Sequence, residues 1–211
     1  MSAKVGVLAL QGDFAPHAEL LRSIGAEPRL VRNPSDLEGL AHLVLPGGES
    51  TTLHHLLVLF ALWDSIGERC RRGELALLGT CAGAILLAED AGGRPPTLGL
   101  LDVDVERNAY GRQIDSFSRT ARCDELGGDL RCVFIRAPRI RRVGPGVLVL
   151  AKDGADPILV EGPGILAATF HPELGEDSRV HERFLALAPR SPKPMGAPGG
   201  ARQRDRSPRV I

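Results

Sequence analysis

A thiol framed by glycines is the first group in this sequence with the means to do chemistry. Gly79-Thr80-Cys81-Ala82-Gly83 follows the apolar run at 75–78 and opens the apolar stretch at 82–89. This is the G-x-nucleophile-x-G spacing of a strand-to-helix elbow, with cysteine in the central place. Small flanking residues let the backbone turn sharply, and the following helix offers the free N–H groups and positive dipole end that favour a thiolate. The competing reading is a core cysteine in a Gly-rich turn, because cysteine commonly packs as a small apolar residue. Cys70, Cys123 and Cys132 have no comparable frame and read as structural.

A thiolate nucleophile needs a base that takes its proton and later returns it to the leaving group. Phe170-His171-Pro172-Glu173 follows a second apolar run at 165–169 and supplies both an imidazole and a carboxylate to orient it. The remaining histidines, at 17, 42, 54, 55 and 181, read as structural residues on helices or loops without a paired carboxylate. Leu45-Pro46-Gly47-Gly48-Glu49-Ser50-Thr51 is the third segment of interest. Its glycines let a backbone N–H approach a ligand, which suits an oxyanion hole formed by Gly48 together with the N–H of Ala82. Taken alone, the segment also reads as a plain turn with a Ser/Thr helix cap.

These groups need a scaffold that brings distant segments to one edge. Apolar strand patterns at 5–10, 28–31, 43–45 and 75–78 alternate with helical patterns at 14–24, 51–61 (running on toward Cys70) and 82–89. That alternation predicts an α/β domain whose mostly parallel central sheet carries helices on both faces. Later short strands at 102–107, 131–136, 147–151, 158–161 and 165–169 read as antiparallel additions and returning central strands, closed by a helix at 178–188. No internal repeat or linker interrupts 1–188, so one domain is expected there.

Residues 189–211 hold six basic residues and one acid, leaving a body with 20 basic and 25 acidic residues. An acidic body argues against nucleic acid as the main ligand. The basic tail, rich in Pro, Gly and Ser, reads as a solvated, disordered end. Neither a signal peptide nor a membrane-spanning run is present, and four cysteines without metal-ligand spacing fit a reducing cytoplasm and no metal site.

The three chemical segments together resemble the class I glutamine amidotransferases, and within them the glutaminases that serve pyridoxal 5′-phosphate synthases. The blocks that carry the likeness are GVLALQG (6–12), LPGGEST (45–51), GTCAG (79–83), RNAYGRQ (107–113), FIRAP (134–138) and ATFHPEL (168–174). The resemblance implies Cys81 as nucleophile, His171 as general acid/base and Glu173 as its orienting partner. It implies that Gly48, Glu49 and Ser50 hold L-glutamine, with Arg107, Ile135 and Arg136 as further substrate contacts. A guanidinium suits that task, since it can grip an α-carboxylate through paired hydrogen bonds. It further implies a hetero-oligomer in which ammonia is channelled to a synthase subunit that makes the cofactor, so no cofactor is expected on this chain. An amidotransferase serving another ammonia acceptor is one alternative, opposed by RNAYGRQ and FIRAP. A silent binding subunit is another, opposed by the intact Cys, His and Glu. Ala84, where a larger apolar residue is usual, implies looser packing behind the cysteine. His54-His55, in place of an Arg-containing stretch, bears on the partner contact, and the tail runs past the family's usual end.

Overall fold

The computed structural model describes residues 3–93, 95–107 and 116–191. The first half runs β1 (Lys4–Leu8), α1 (Phe14–Ser23), β2 (Glu27–Val31), β3 (His42–Leu45), α2 (Ser50–Leu59), α3 (Leu62–Arg71), β4 (Ala76–Thr80), α4 (Ala82–Leu87) and β5 (Ala88–Asp90). The second half adds β6 (Leu101–Glu106), β7 (Ser116–Cys123), β8 (Gly128–Ile135), β9 (Arg139–Val143), β10 (Leu148–Asp153), β11 (Asp156–Gly162), β12 (Ile165–Ala168) and α5 (Arg179–Leu185).

Seven strands form the central sheet in the order β10-β11-β12-β4-β3-β1-β2. The pairs from β12 to β2 are parallel, and β10 and β11 add an antiparallel edge. The middle strands are buried on both faces, which is why they read as continuous Leu, Val, Ile and Ala rather than as an alternating pattern. Their side chains nevertheless divide strictly by parity. Leu43, Leu45, Leu77, Ile165 and Ala167 pack with Leu53 and Leu57 of α2, Ile66 of α3 and the buried length of α4. Val44, Ala76, Leu78, Leu166 and Ala168 pack on the opposite face with Ala18 and Leu21 of α1 and Val180 and Phe184 of α5. The α/β architecture with helices on both faces is therefore as expected from the sequence.

Among the differences from the expected elements, which include the unanticipated strand β9, three stand out. The helix expected over 51–61 and beyond is two helices, because Ala61 turns left-handed with φ 56° and caps α3. For a residue with a Cβ that conformation costs about 1–2 kcal/mol. Ala61→Gly is thus expected to stabilise the exposed turn by up to ~1 kcal/mol, raising the thermal midpoint by a few degrees in a melting experiment. The helix expected to reach residue 89 stops at Leu87, since Ala88 is extended and Ala88–Asp90 pairs with β6. The third difference is an eight-residue strand, β7, which pairs antiparallel with β8 throughout. Its burial alternates only at Ala121 and Cys123, so its sequence lacks a clear strand period.

The β7–β8 hairpin covers the face that holds α1 and α5, placing Ala121, Cys123, Leu130, Cys132 and Phe134 in that core. β5, β6 and β9 form a separate three-stranded sheet. The four cysteines are unpaired and buried. Among the described residues, no helix is long and apolar enough to cross a membrane.

Candidate active site

Four parallel strands deliver their following loops to the same edge of the sheet. Gln11 to Asp13 follow β1, Pro46 to Gly48 follow β3, Cys81 follows β4 and His171 follows β12. Ligands of open α/β sheets bind at that carboxyl edge. A cavity of about 430 Å³ opens there, in the size range of small-molecule sites. It brings together Cys81, His171, Gly48, Glu49, Ser50, Arg107, Ile135 and Arg136, joined by Gln11, Gly12, Asp13 and Ile85.

Cys81 stands at φ 47°, ψ −101°, a conformation that L residues with a Cβ rarely adopt. Such strain costs on the order of 1–3 kcal/mol and persists only where the surroundings enforce it. Here the Cys81 N–H donates to the Ala168 carbonyl at 2.9 Å, and the Cys81 carbonyl accepts from Ile85 N–H at 3.2 Å as α4 begins. Close packing completes the elbow. A Cβ on Gly83 would lie 2.0 Å from the Leu45 carbonyl oxygen, and one on Gly79 would lie 2.9 Å from Ala84 N. Ala84 itself is buried in the core, so the backbone behind the thiol is tightly seated at these positions. The thiol reaches the Ile135 carbonyl at the end of β8, 3.8 Å away.

His171 is held from both sides. Its backbone N–H donates to the Val133 carbonyl of β8 at 2.8 Å, and the short turn Pro172–Leu174 folds Glu173 back beneath the ring. Nδ1 then meets Glu173 Oε1 at 2.8 Å, with Asp13 Oδ2 at 3.4 Å from the same nitrogen. Glu173 lies behind the imidazole, outside the cavity lining and buried. Burial alone would lower the His171 pKa, but hydrogen bonds and charge attraction involving Cys81 and Glu173 outweigh it and raise the value to about 10. Burial pushes the Glu173 carboxyl upward against the pull of the His171 ring. An imidazole so placed favours its cationic form.

The sign of that shift sets a stability window. A base whose pKa is higher in the folded state contributes fully below its ordinary value of 6.5 and loses the contribution as pH climbs through about 10. The denaturation midpoint is expected to fall across that interval, and to fall less in a His171→Asn variant, in urea titrations at pH 6.5, 8 and 10.

The loop after β3 does two jobs. Glu49, rather than a Ser or Thr, caps α2: its carboxylate accepts from Thr51 N–H at 3.0 Å and Thr52 N–H at 2.6 Å. Burial opposes ionisation, but those hydrogen bonds hold the Glu49 pKa at about 2. The same carboxylate pairs with Arg107 Nη2 at 3.2 Å, tying the last described residue before the 108–115 gap to the cavity wall. The rest of RNAYGRQ lies outside the described residues. Gly48 takes φ 146° with the Gln11 side chain folded over it, and Gln11 Oε1 accepts from Glu49 N–H at 3.2 Å. Arg136 borders the cavity from a left-handed position with φ 43°. Ala82 starts α4 directly after the thiol, although its side chain does not line the cavity.

The sequence reading missed three residues here. Gln11 and Asp13 enter the cavity from the turn after β1, and the LQGDF run that encodes them was a visible signal at a strand end. His17 qualifies an expectation: its Nε2 is hydrogen-bonded to Thr80 Oγ1 but also lies 3.3 Å from Glu173 Oε2, a carboxylate the sequence did not place beside it. A histidine on a helix gives no hint of a partner 156 positions away. His54 packs its ring edge-on against Trp63, with centroids 4.7 Å apart, and His55 is exposed. Among the described residues, Asp13, His171 and Glu173 have ligand atoms close enough to share a metal ion. The 2.8 Å bond between His171 and Glu173 already gives those atoms a use in orienting the ring.

A strained cysteine at a sheet edge thus shares one cavity with an imidazole backed by a carboxylate, on an α/β scaffold. Residues 7–188 match the model of the SNO glutamine amidotransferase family, and the chain belongs to that family. It is 52% identical over 190 residues to the pyridoxal 5′-phosphate synthase subunit PdxT of Thermus thermophilus, covering 89% of this chain and 99% of that protein. Similarity to the same-named protein of Deinococcus radiodurans is 50% over 190 residues, covering 87% and 96%. A crystal structure of a glutamine amidotransferase, also 52% identical, superposes with a TM-score of 0.83 over 87% of this chain and 98% of that one. The structure of PurLQS from Thermotoga maritima, at 19% identity and a TM-score of 0.66 over 88% of this chain and 98% of that one, shares the fold.

Proposed function

We propose that this chain is the glutaminase subunit of a pyridoxal 5′-phosphate synthase, hydrolysing L-glutamine to L-glutamate and ammonia. The observation that carries the reading is the strained Cys81 in one cavity with His171, whose Nδ1 is bonded to Glu173 at 2.8 Å. The curated relatives named above, about half identical along nearly their whole length, support the choice of synthase.

In this mechanism the Cys81 sulfur attacks the side-chain carboxamide carbon of glutamine. His171, as the imidazolium, gives its proton to the departing ammonia, leaving a thioester. It then takes a proton from the water that hydrolyses that ester, and glutamate leaves. Glu173 keeps the proton-bearing Nδ1 pointed away from the sulfur and stabilises the imidazolium. The N–H groups of Gly48 and Ala82 serve the tetrahedral oxyanion. Arg107 and Arg136 provide the positive charge for the substrate α-carboxylate. Glu49, fixed as an anion by its helix-capping bonds, faces the α-ammonium, with Ser50 and Ile135 completing the wall.

The catalytic body is residues 1–188, acting in the cytoplasm. The tail from 189 has no assigned part, and from 192 onward it lies outside the described residues. Ammonia passes to a synthase subunit docked over the cavity edge. The test is ammonia release from glutamine with and without a pyridoxal 5′-phosphate synthase subunit. Stimulation by that subunit supports the assignment, whereas equal release in both mixtures removes the acceptor and leaves a free-standing glutaminase.

A further inference from the structure

We propose that His17, itself held by His181, is a positioning residue that fixes the second oxygen of the Glu173 carboxylate and so aims the first at His171. The proposal rests on the catalytic reading given above.

Two imidazoles meet where α1 and α5 pack on the same sheet face, and both are fully buried. Burying a polar ring is unfavourable unless its nitrogens find partners. His17 Nδ1 lies 2.8 Å from His181 Nε2. His17 Nε2 lies 3.1 Å from Thr80 Oγ1, the residue just before Cys81, and 3.3 Å from Glu173 Oε2. The buried contact therefore runs from α5 through α1 to the carboxylate, and through that carboxylate to the imidazole beside the thiol.

Donor accounting fixes the tautomers. An ionised carboxylate only accepts, and Glu173 Oε1 already accepts from His171 Nδ1. Glu173 Oε2 makes no hydrogen bond among the described residues. A bare lone pair on His17 Nε2 facing it at 3.3 Å would be repulsive, so Nε2 carries the hydrogen, bonded to Thr80 Oγ1, and presents its positive end to Oε2. Nδ1 of His17 must then accept, so His181 Nε2 donates. The series ends at His181 Nδ1, which has no hydrogen-bond partner among the described residues.

Neutrality of both rings is part of the arrangement. Burial, then the neighbouring His181 and His171, keep the His17 pKa well below 6.5. Burial holds His181 at about 4. A neutral His17 can turn its Nε2 hydrogen toward Glu173 Oε2 without competing, as a second cation, for the charge that stabilises the His171 imidazolium. The ionisable groups that face Glu173 are His171 and Asp13 on the cavity side and His17 from α1, with His181 behind it.

The test uses the full chain with its synthase partner and compares His17→Gln with His17→Asn, alongside Cys81→Ala. Glutamine keeps an amide N–H near the position of Nε2, and asparagine is one methylene too short to reach Oε2. His17→Asn is expected to lower kcat for glutamine about 10- to 100-fold with KM within about twofold, as a misplaced catalytic group does. Its pH profile should also narrow. The acid limb rises because Glu173 takes a proton more readily, and the alkaline limb falls because His171 loses its proton more readily. His17→Gln should retain most of the wild-type rate and profile. Equal rates in the two amide variants, or equal losses with an unshifted profile, would reduce His17 to a packing residue and overturn the proposal. Hydrolysis persisting in Cys81→Ala would overturn the catalytic reading itself, a result distinct from either.

Discussion

Cys81→Ala is expected to lower glutamine hydrolysis by at least about 10⁴-fold while leaving the fold intact, as removal of a covalent nucleophile generally does. The size of the loss follows from the proposed chemistry. Without the sulfur no thioester forms, and His171 has no nucleophile to serve. Alanine suits the site sterically, since it deletes only the sulfur and keeps the Cβ for which the strained elbow is already built. The backbone bonds from Cys81 to Ala168 and Ile85 are unaffected by the change. Ammonia release and a thermal melt on the same preparation separate lost chemistry from lost structure. A melt near wild type with hydrolysis within tenfold of wild type would point to a different nucleophile.

Gly47→Ala is the second change with a large expected effect, and it acts through space alone. A Cβ built at Gly47 would lie 2.4 Å from His171 Cε1, 3.0 Å from His171 Nδ1 and 3.4 Å from Cys81 Cβ. The ring cannot tolerate a carbon that close, and both sides of it are fixed, by Glu173 and by the backbone bond from His171 N–H to Val133. Either the ring tilts away from the thiol or the Gly47-Gly48 loop retreats, taking with it the Gly48 N–H proposed to serve the oxyanion. Each displacement is about an ångström, and an ångström of misplacement costs on the order of 100-fold in rate. The expected result is a kcat reduced about 100-fold or more, read by steady-state ammonia release. A variant at wild-type rate would mean that His171 does not occupy this position during turnover.

The sequence was informative where the backbone has to do something unusual. Gly79 and Gly83 lack side chains because a Cβ there would run into Ala84 and Leu45 respectively. Gly47 and Gly48 lack side chains because His171 and Gln11 occupy the space a Cβ would need. Those demands are local, so they are written in short motifs. The parallel core was legible for a related reason, since strands buried on both faces must be apolar throughout.

What remained hidden depends on contacts between distant segments. β7 (SFSRTARC) is mostly exposed and gains its strand form by pairing with β8, not from its own pattern. The break at Ala61 carries no glycine or proline to announce it. His17 and His181 look like two unrelated helix residues until α1 and α5 meet on one face of the sheet. Glu49 looked like a substrate contact alone, and the fold shows it also capping α2.

The most direct measurement is to treat the full chain with an electrophilic glutamine analogue that mimics the carboxamide, then to locate the adduct by peptide mass spectrometry in wild type and in His171→Asn. A single adduct on Cys81, forming quickly in wild type and at least 100-fold more slowly in His171→Asn, is the expected outcome. Labelling of Cys70, Cys123 or Cys132 in its place, or equal labelling of Cys81 in both proteins, would contradict a shared pocket in which the imidazole activates that sulfur.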